Sequence, residues 1–262
     1  MRKRLSLSKF GGGSAGLERA LAGYIARNKM SSSKLFKPAP FVIGVNGSIA
    51  SGKSYFSKKL AASFPRKMKV MVLSTDDFIF SNARLKRKKL MSQKGWPASY
   101  NWPLVFDTLA KIKSRKPVTG LTKYNQMISD IDPKLKYKIP SNLDVVIIEG
   151  INTLQTRVSK KYNQLLTDFM DYTVCIYAKE KYIYDWWFER IQKKMKGWRR
   201  DGIKEHLTSK TPAQLRTWAS SIWNKINRPN IKRNITPMCV NRADLIVTKT
   251  KTHGIKHLDF KL

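Results

Sequence analysis

Residues 44–56 read "GVNGSIASGKSYF" and follow directly on the apolar run "FVI" at 41–43. Within them, "GSIASGKS" fits G-x-x-x-x-G-K-[ST], with Gly47, Gly52, Lys53 and Ser54 at the fixed positions. Glycines there let the chain turn its N–H groups inward around phosphate oxygens. Ser48, Ala50 and Ser51 add backbone to that cradle, and the N-terminus of the next helix adds its dipole. Lys53 is predicted to reach the outer phosphates of ATP, and the Ser54 hydroxyl to hold a magnesium ion. Such a loop has force only between a buried strand and a helix. Both signals are present: Phe41–Val45 is a short apolar run, and the helix after the loop ends near Phe64, where Pro65 breaks it.

The same alternation continues along the chain. "VMVLS" (70–74), "DVVIIEG" (144–150), "YTVCIYA" (172–178) and "ADLIVT" (243–248) read as further buried strands. Helices are expected over 17–29, 104–114, 181–198 and 213–226, the first with Leu17, Leu21, Tyr24 and Ile25 at helical spacing. This order predicts an α/β fold, a mostly parallel sheet of the P-loop NTPase type with helices on both faces and a helical lid or substrate region at about 181–230. Residues 1–16 are expected to be a basic, flexible arm and 17–262 a single domain, with a polar linker "SSSK" at 31–34.

The charge is extreme: 52 Lys and Arg against 17 acids, a net +35 over 262 residues. An excess of this size favours polyanionic partners, so RNA or a ribosome is an alternative partner to a small substrate, with the basic stretch "KRKK" at 86–89 as a contact. Compositional drift toward lysine would give the same total. No apolar run approaches the roughly 20 residues that span a bilayer, so no membrane segment is expected. Cys175 and Cys239 lie in apolar contexts without metal-ligand spacing. They read as buried free thiols in a reducing compartment, the cytoplasm or the mitochondrial matrix, with a disulfide framework excluded and secretion not expected.

Carboxylates are scarce, which makes their placement informative. Glu149 ends the strand "VVIIEG", where ligands bind in open α/β sheets; it reads as an acid holding magnesium, or as an acid capping a strand end. Asp76 and Asp77 follow the strand "VMVLS" directly. A kinase acting on a hydroxyl needs a carboxylate in hydrogen-bond reach of that oxygen, and Asp76 is the choice for this base, with Asp77 an alternative turn cap. Arg190, on the helix over 181–198, is a candidate clamp for the transferred phosphoryl group; Arg199 and Arg200 fit a solvated face equally well.

Together these stretches resemble the type I, bacterial pantothenate kinases, within the P-loop group that includes uridine kinase and phosphoribulokinase. The resemblance is carried by "GSIASGKS", "STDDF", "LMSQKGWPASYN", "VVIIEGINTLQ", "DWWFERI", "WNKINRPNIKRNI" and "ADLIVTKTKTHGI", in that order. It implies ATP-dependent phosphorylation of the primary hydroxyl of pantothenate, the entry step to coenzyme A, by an enzyme that in this family is a homodimer. It also implies that Asp76 is the base and that Tyr124, Arg190 and Asn227 touch the substrate. His253 would stack on the adenine. The departures lie on the acceptor side. Asp77 stands where the family has glycine, Gln126 where it has histidine and Trp187 where it has tyrosine. Gln126 and Trp187 are therefore expected to border an altered acceptor pocket, and Gln126 to weaken feedback by coenzyme A.

Overall fold

A computed structural model describes residues 2–5, 14–30, 39–156, 164–201 and 204–261. The linker expected at 31–34 lies outside them. In chain order the elements are β1 (Arg2–Leu5), α1 (Ser14–Met30), β2 (Phe41–Gly47), α2 (Lys53–Ala62), β3 (Val70–Ser74), α3 (Asn82–Arg87) and α4 (Trp102–Lys113). Then come β4 (Val118–Asn125), β5 (Asp130–Ile139), β6 (Val145–Gly150), β7 (Tyr172–Tyr177), α5 (Glu180–Arg200), α6 (Glu205–Thr208) and α7 (Pro212–Ile222). Last are α8 (Arg228–Asn230), α9 (Thr236–Arg242), β8 (Leu245–Lys249) and β9 (Ile255–Lys261).

Seven strands form one sheet in the order β1-β9-β8-β7-β2-β6-β3, and β4 pairs with β5 in a separate hairpin. The five strands from β8 to β3 run parallel, while β9 and β1 add antiparallel at one edge. Residues 2–5, within the segment expected to be an arm, are the edge strand β1.

Alternation along each strand divides the core. In β6, Val145 and Ile147 face a cluster with α1 and α2, whereas Val146 and Ile148 face one built on α4 and the hairpin. All six residues of β6 are buried, so the strand reads as a continuous apolar run. On α1, Leu17, Leu21 and Ile25 are buried as their spacing predicted, but Tyr24 is 55% exposed. A third cluster gathers α5, α7 and α9 around Trp186, Trp187 and Trp223.

The segment after α7 is helical but widened. Trp223–Asn227 and Ile231–Ile235 are π-helical turns. Pro229 and Pro237 have no N–H to give, and their rings crowd the carbonyls of Lys225 and Arg233, inside those turns. A π turn opens the ladder where an α turn would clash.

The cysteines correct the sequence reading: Cys175 of β7 and Cys239 of α9 form a disulfide, with their Cα atoms 5.4 Å apart. They are 64 residues apart in sequence, and only the docking of α9 on β7 brings them together. The inference of a reducing compartment from free thiols therefore falls. Denatured protein should show two titratable thiols after reduction and none before. A disulfide typically contributes about 2–4 kcal/mol, so reduction should lower unfolding stability by that amount, as read from denaturant melts.

Candidate active site

Three chain segments reach the same edge of the sheet because β3, β6 and β2 pair in parallel register. Val45 lies opposite Glu149, and Glu149 lies opposite Ser74. The candidate residues sit on or just beyond that line: Gly47 at the end of β2 and the loop to Ser54 after it, Asp76 and Asp77 after β3, and Glu149 on the line itself. Strand order changes side at β2, with β6 on one flank and β7 on the other, and this is where open α/β sheets bind ligands.

The phosphate loop has the backbone its sequence requires. A Cβ on Gly47 would lie 2.6 Å from the carbonyl oxygen of Ile176, and Gly52 takes φ 92°, so side chains are excluded at both positions. Ala50 holds φ 58°, a strained value for a residue with a side chain. Lys53 is buried and its ammonium donates to the Ser48 carbonyl at 2.8 Å, folded back on its own loop. Burial lowers its pKa, opposed by nearby Glu149 and Asp76. The Ser54 hydroxyl donates to Glu149 Oε1 at 2.8 Å. A hydroxyl and a carboxylate so placed are hard oxygen donors of the kind magnesium takes.

Asp76 lies in the 3₁₀ turn Thr75–Phe78, whose start is capped by the Ser74 hydroxyl accepting from the Asp76 N–H. Burial, reinforced by the negative charge of Glu149, raises its carboxyl pKa to about 6; Lys53 and Arg190 pull the other way. Gln126 Nε2 faces Asp76 Oδ2 at 3.4 Å, and Gln126 Oε1 accepts from Arg190 Nη2 at 3.1 Å and from Lys194 Nζ at 3.2 Å. Gln126 thus links the turn after β3 to α5.

Asp77 is buried and is more than a turn cap. Its Oδ1 accepts from the Tyr124 N–H at 2.7 Å and its Oδ2 from the Tyr137 hydroxyl at 2.7 Å. One carboxylate therefore ties both hairpin strands to the turn that carries Asp76. Burial raises its pKa, and the hydrogen bonds from Tyr124 and Tyr137 oppose that.

A cleft of about 380 Å³ lies between the phosphate loop and α5, lined among others by Lys53, Ser54, Tyr55, Trp186, Arg190 and His253. The His253 ring stacks on Trp186 at 4.0 Å between centroids. Trp187 is buried and packs on Trp223 at 5.6 Å and Tyr184 at 6.2 Å, so it is part of the α5 core. Asn227 is half-buried at the end of the first π turn, beside Ile226, whose carbonyl accepts from the Trp96 indole at 3.2 Å.

Sequence reasoning missed the hairpin and with it Tyr137, Lys94 and Lys194. The spacing of Arg190, Lys194 and Trp198, four residues apart on one helix, was an available signal that one face of α5 attends the site. The motif "EGINTLQ" proves largely structural: Asn152 Nδ2 donates to the Gly95 carbonyl at 3.0 Å, and the Thr153 hydroxyl donates to Asn46 Oδ1 at 3.2 Å.

The model of the phosphoribulokinase / uridine kinase family matches residues 42–216. A pantothenate kinase of Coxiella burnetii is 35% identical over 258 residues, covering 92% of this chain and 80% of the relative. One from Rhizobium etli is 35% identical over 253 residues, covering 94% and 76%. Among solved structures, a D-glycerate 3-kinase from Cryptococcus neoformans aligns with a TM-score of 0.66 at 17% identity, over 96% of this chain and 100% of that chain. The YGR205w protein aligns with a TM-score of 0.67 at 16% identity, over the same shares. At those identities the structural likeness is one of fold.

Replacing Asp77 by Ala strands the Tyr124 amide and the Tyr137 hydroxyl without acceptors, at about 1–3 kcal/mol. Hydrogen exchange should then accelerate in β4 and β5 while β6 keeps its protection; equal exchange in the two proteins would refute the tether.

Proposed function

The chain belongs to the phosphoribulokinase / uridine kinase family and, within it, to the pantothenate kinases; from that premise we propose that it phosphorylates the primary hydroxyl of pantothenate with ATP, giving 4'-phosphopantothenate. It is a small-molecule kinase; the identity of the acceptor and the residue roles are the proposed part. The observation that carries the reading is the position of Asp76. Its carboxyl group, with a pKa of about 6, stands between the ammonium of Lys53 and the Gln126–Arg190 pair.

In this reading the N–H groups of Gly47, Ser48, Ala50, Ser51, Gly52, Lys53 and Ser54 surround the β- and γ-phosphates of ATP. Lys53 exchanges the Ser48 carbonyl for a phosphate oxygen. Ser54 and Glu149 would hold magnesium, which when bound neutralises charge on the phosphates. Tyr124, Gln126 and Asn227 border the acceptor, and His253, backed by Trp186, meets the adenine; Trp187, packed in the α5 core, takes no part.

The acceptor hydroxyl lies against Asp76, which takes its proton as the oxygen bonds to the γ-phosphorus. The bond from that phosphorus to the β–γ bridging oxygen breaks, and ADP leaves with the electron pair. Arg190 and Lys53 stabilise the charge on the moving group. The relatives that match most of this chain are named as pantothenate kinases, which lends no support to the RNA-binding alternative.

A base must be deprotonated, so activity belongs above the Asp76 pKa. The kcat/KM for the acceptor should fall about tenfold per unit as pH drops below about 6. Asp76→Asn should lower kcat by about 10²–10⁴ and leave the KM for ATP nearly unchanged. A variant turning over within about threefold of the parent, or a profile flat through that pH, would exclude Asp76 as the base.

A further inference from the structure

The strand that leads into the phosphate loop is hydrogen-bonded to the disulfide. In β2, Asn46 lies directly beside Cys175 of β7, which lies in turn beside Ile246 of β8. Among the described residues the Asn46 side chain makes two hydrogen bonds. Its Nδ2 donates to Cys239 Sγ at 3.3 Å, and its Oδ1 accepts from the Thr153 hydroxyl at 3.2 Å. Asn46, Thr153 and both cysteines are buried. The next residue, Gly47, opens the loop and packs closely on the carbonyl of Ile176, the residue after Cys175.

The two cysteines differ in how firmly the fold holds them. Cys175 is inside the sheet, with hydrogen-bonded strands on both sides. Cys239 is in α9, a helix of seven residues entered from the π turn Ile231–Ile235. Pro237, in the first turn of α9, has no N–H to bond back to that turn. When the S–S bond is broken, the two sulfurs must part to van der Waals contact. The displacement falls on α9, the side that can give, and it carries away the acceptor of Asn46 Nδ2. A buried amide donor without an acceptor is costly, so Asn46 readjusts, and the start of the phosphate loop with it.

We propose that Cys175 and Cys239 are a redox switch that acts on nucleotide binding through Asn46. The disulfide form holds the loop in its binding shape, and the dithiol form binds nucleotide more weakly. This rests on the loop at 47–54 holding the nucleotide, and not on the acceptor or on Asp76. The co-reactant is a dithiol, which supplies both electrons. Its first thiolate attacks Cys239 Sγ, on the helix that can move; the bond to Cys175 breaks, and Cys175 leaves as a thiolate that takes up a proton. Its second thiolate attacks the mixed disulfide, releasing Cys239 in the same way and leaving the reductant as a cyclic disulfide. Exchange with an oxidised dithiol reverses both steps.

Calorimetric titration with ADP tests this without relying on turnover. The protein is compared as the disulfide and after treatment with dithiothreitol, each state verified by thiol titration of a denatured sample. Reduction should raise the Kd for ADP about tenfold, and reoxidation with oxidised dithiothreitol should restore it. The Cys175→Ala, Cys239→Ala double variant should bind like the reduced form and ignore the reductant. Asn46→Ala should bind more weakly than the oxidised parent and equally in both states. Equal affinity in the two forms of the parent would overturn the switch, as would a pair that dithiothreitol leaves intact in the folded protein or a full redox response retained in Asn46→Ala. A reduced form that has lost its near-ultraviolet dichroism would make the pair a structural brace and overturn the switch as well. No saturable ADP binding to either form would overturn the nucleotide site along with it, whereas equal binding removes the switch alone.

Discussion

Parallel strands must match register to hydrogen-bond, and here that requirement sets Val45, Glu149 and Ser74 on one line across the sheet. The phosphate loop, the Ser54–Glu149 pair and the Asp76 turn all hang from that line. A slip of one residue in β6 would carry Glu149 to the opposite face and exchange Val145 and Ile147 for Val146 and Ile148 in the two clusters. The core therefore guards the active-site geometry. The interactions that bury the strand also fix where its last carboxylate points.

Electrostatics divides the site into two halves. Toward the phosphate loop, acids and bases are interleaved: Lys53 lies near both Glu149 and Asp76, and each moderates the others. Toward the hairpin, Arg190, Lys194, Lys94 and Lys204 outnumber the acids facing them. Gln126 stands at the junction, receiving N–H groups from Arg190 and Lys194 and turning its own toward Asp76. A neutral amide can do both at once, because it carries an acceptor and a donor on one planar group. A net charge of +35 makes a few unmatched lysines unremarkable by count; their burial around one turn is what separates these from the rest.

The side of the molecule that departs most from a regular α/β plan is also the one that packs around Asp76 and Gln126. Prolines widen the helix after α7, the β4–β5 hairpin stands outside the main sheet, and Asp77 lashes that hairpin to the turn that carries Asp76. A glycine at that position would leave Tyr137 and the Tyr124 amide to find other partners. The disulfide between β7 and α9 fastens the same helical region to the strand beside β2, and Cys239 Sγ accepts from Asn46 just before the phosphate loop.

Local patterns were enough to read the parallel strands, the loop at 47–54, Asp76 and Glu149, because each depends on residues adjacent in the chain: an apolar run, a glycine spacing, an acid at a strand end. They were enough, too, to place Lys53, Ser54 and Arg190 on elements that do converge. The hairpin was not legible, since Val118–Asn125 and Asp130–Ile139 are exposed or half-buried at all but three positions and carry no continuous apolar run. Nor was the edge strand β1, whose partner lies at the other end of the chain. The burial of Trp187 and the pairing of Cys175 with Cys239 depend on which helix faces docked. Sequence by itself therefore determined the sheet and the nucleotide end of the site, where chemistry follows from short-range spacing. Only the tertiary structure decided the hairpin side, because Gln126, Asp77, Lys94 and Lys194 acquire partners through contacts between segments far apart in the chain.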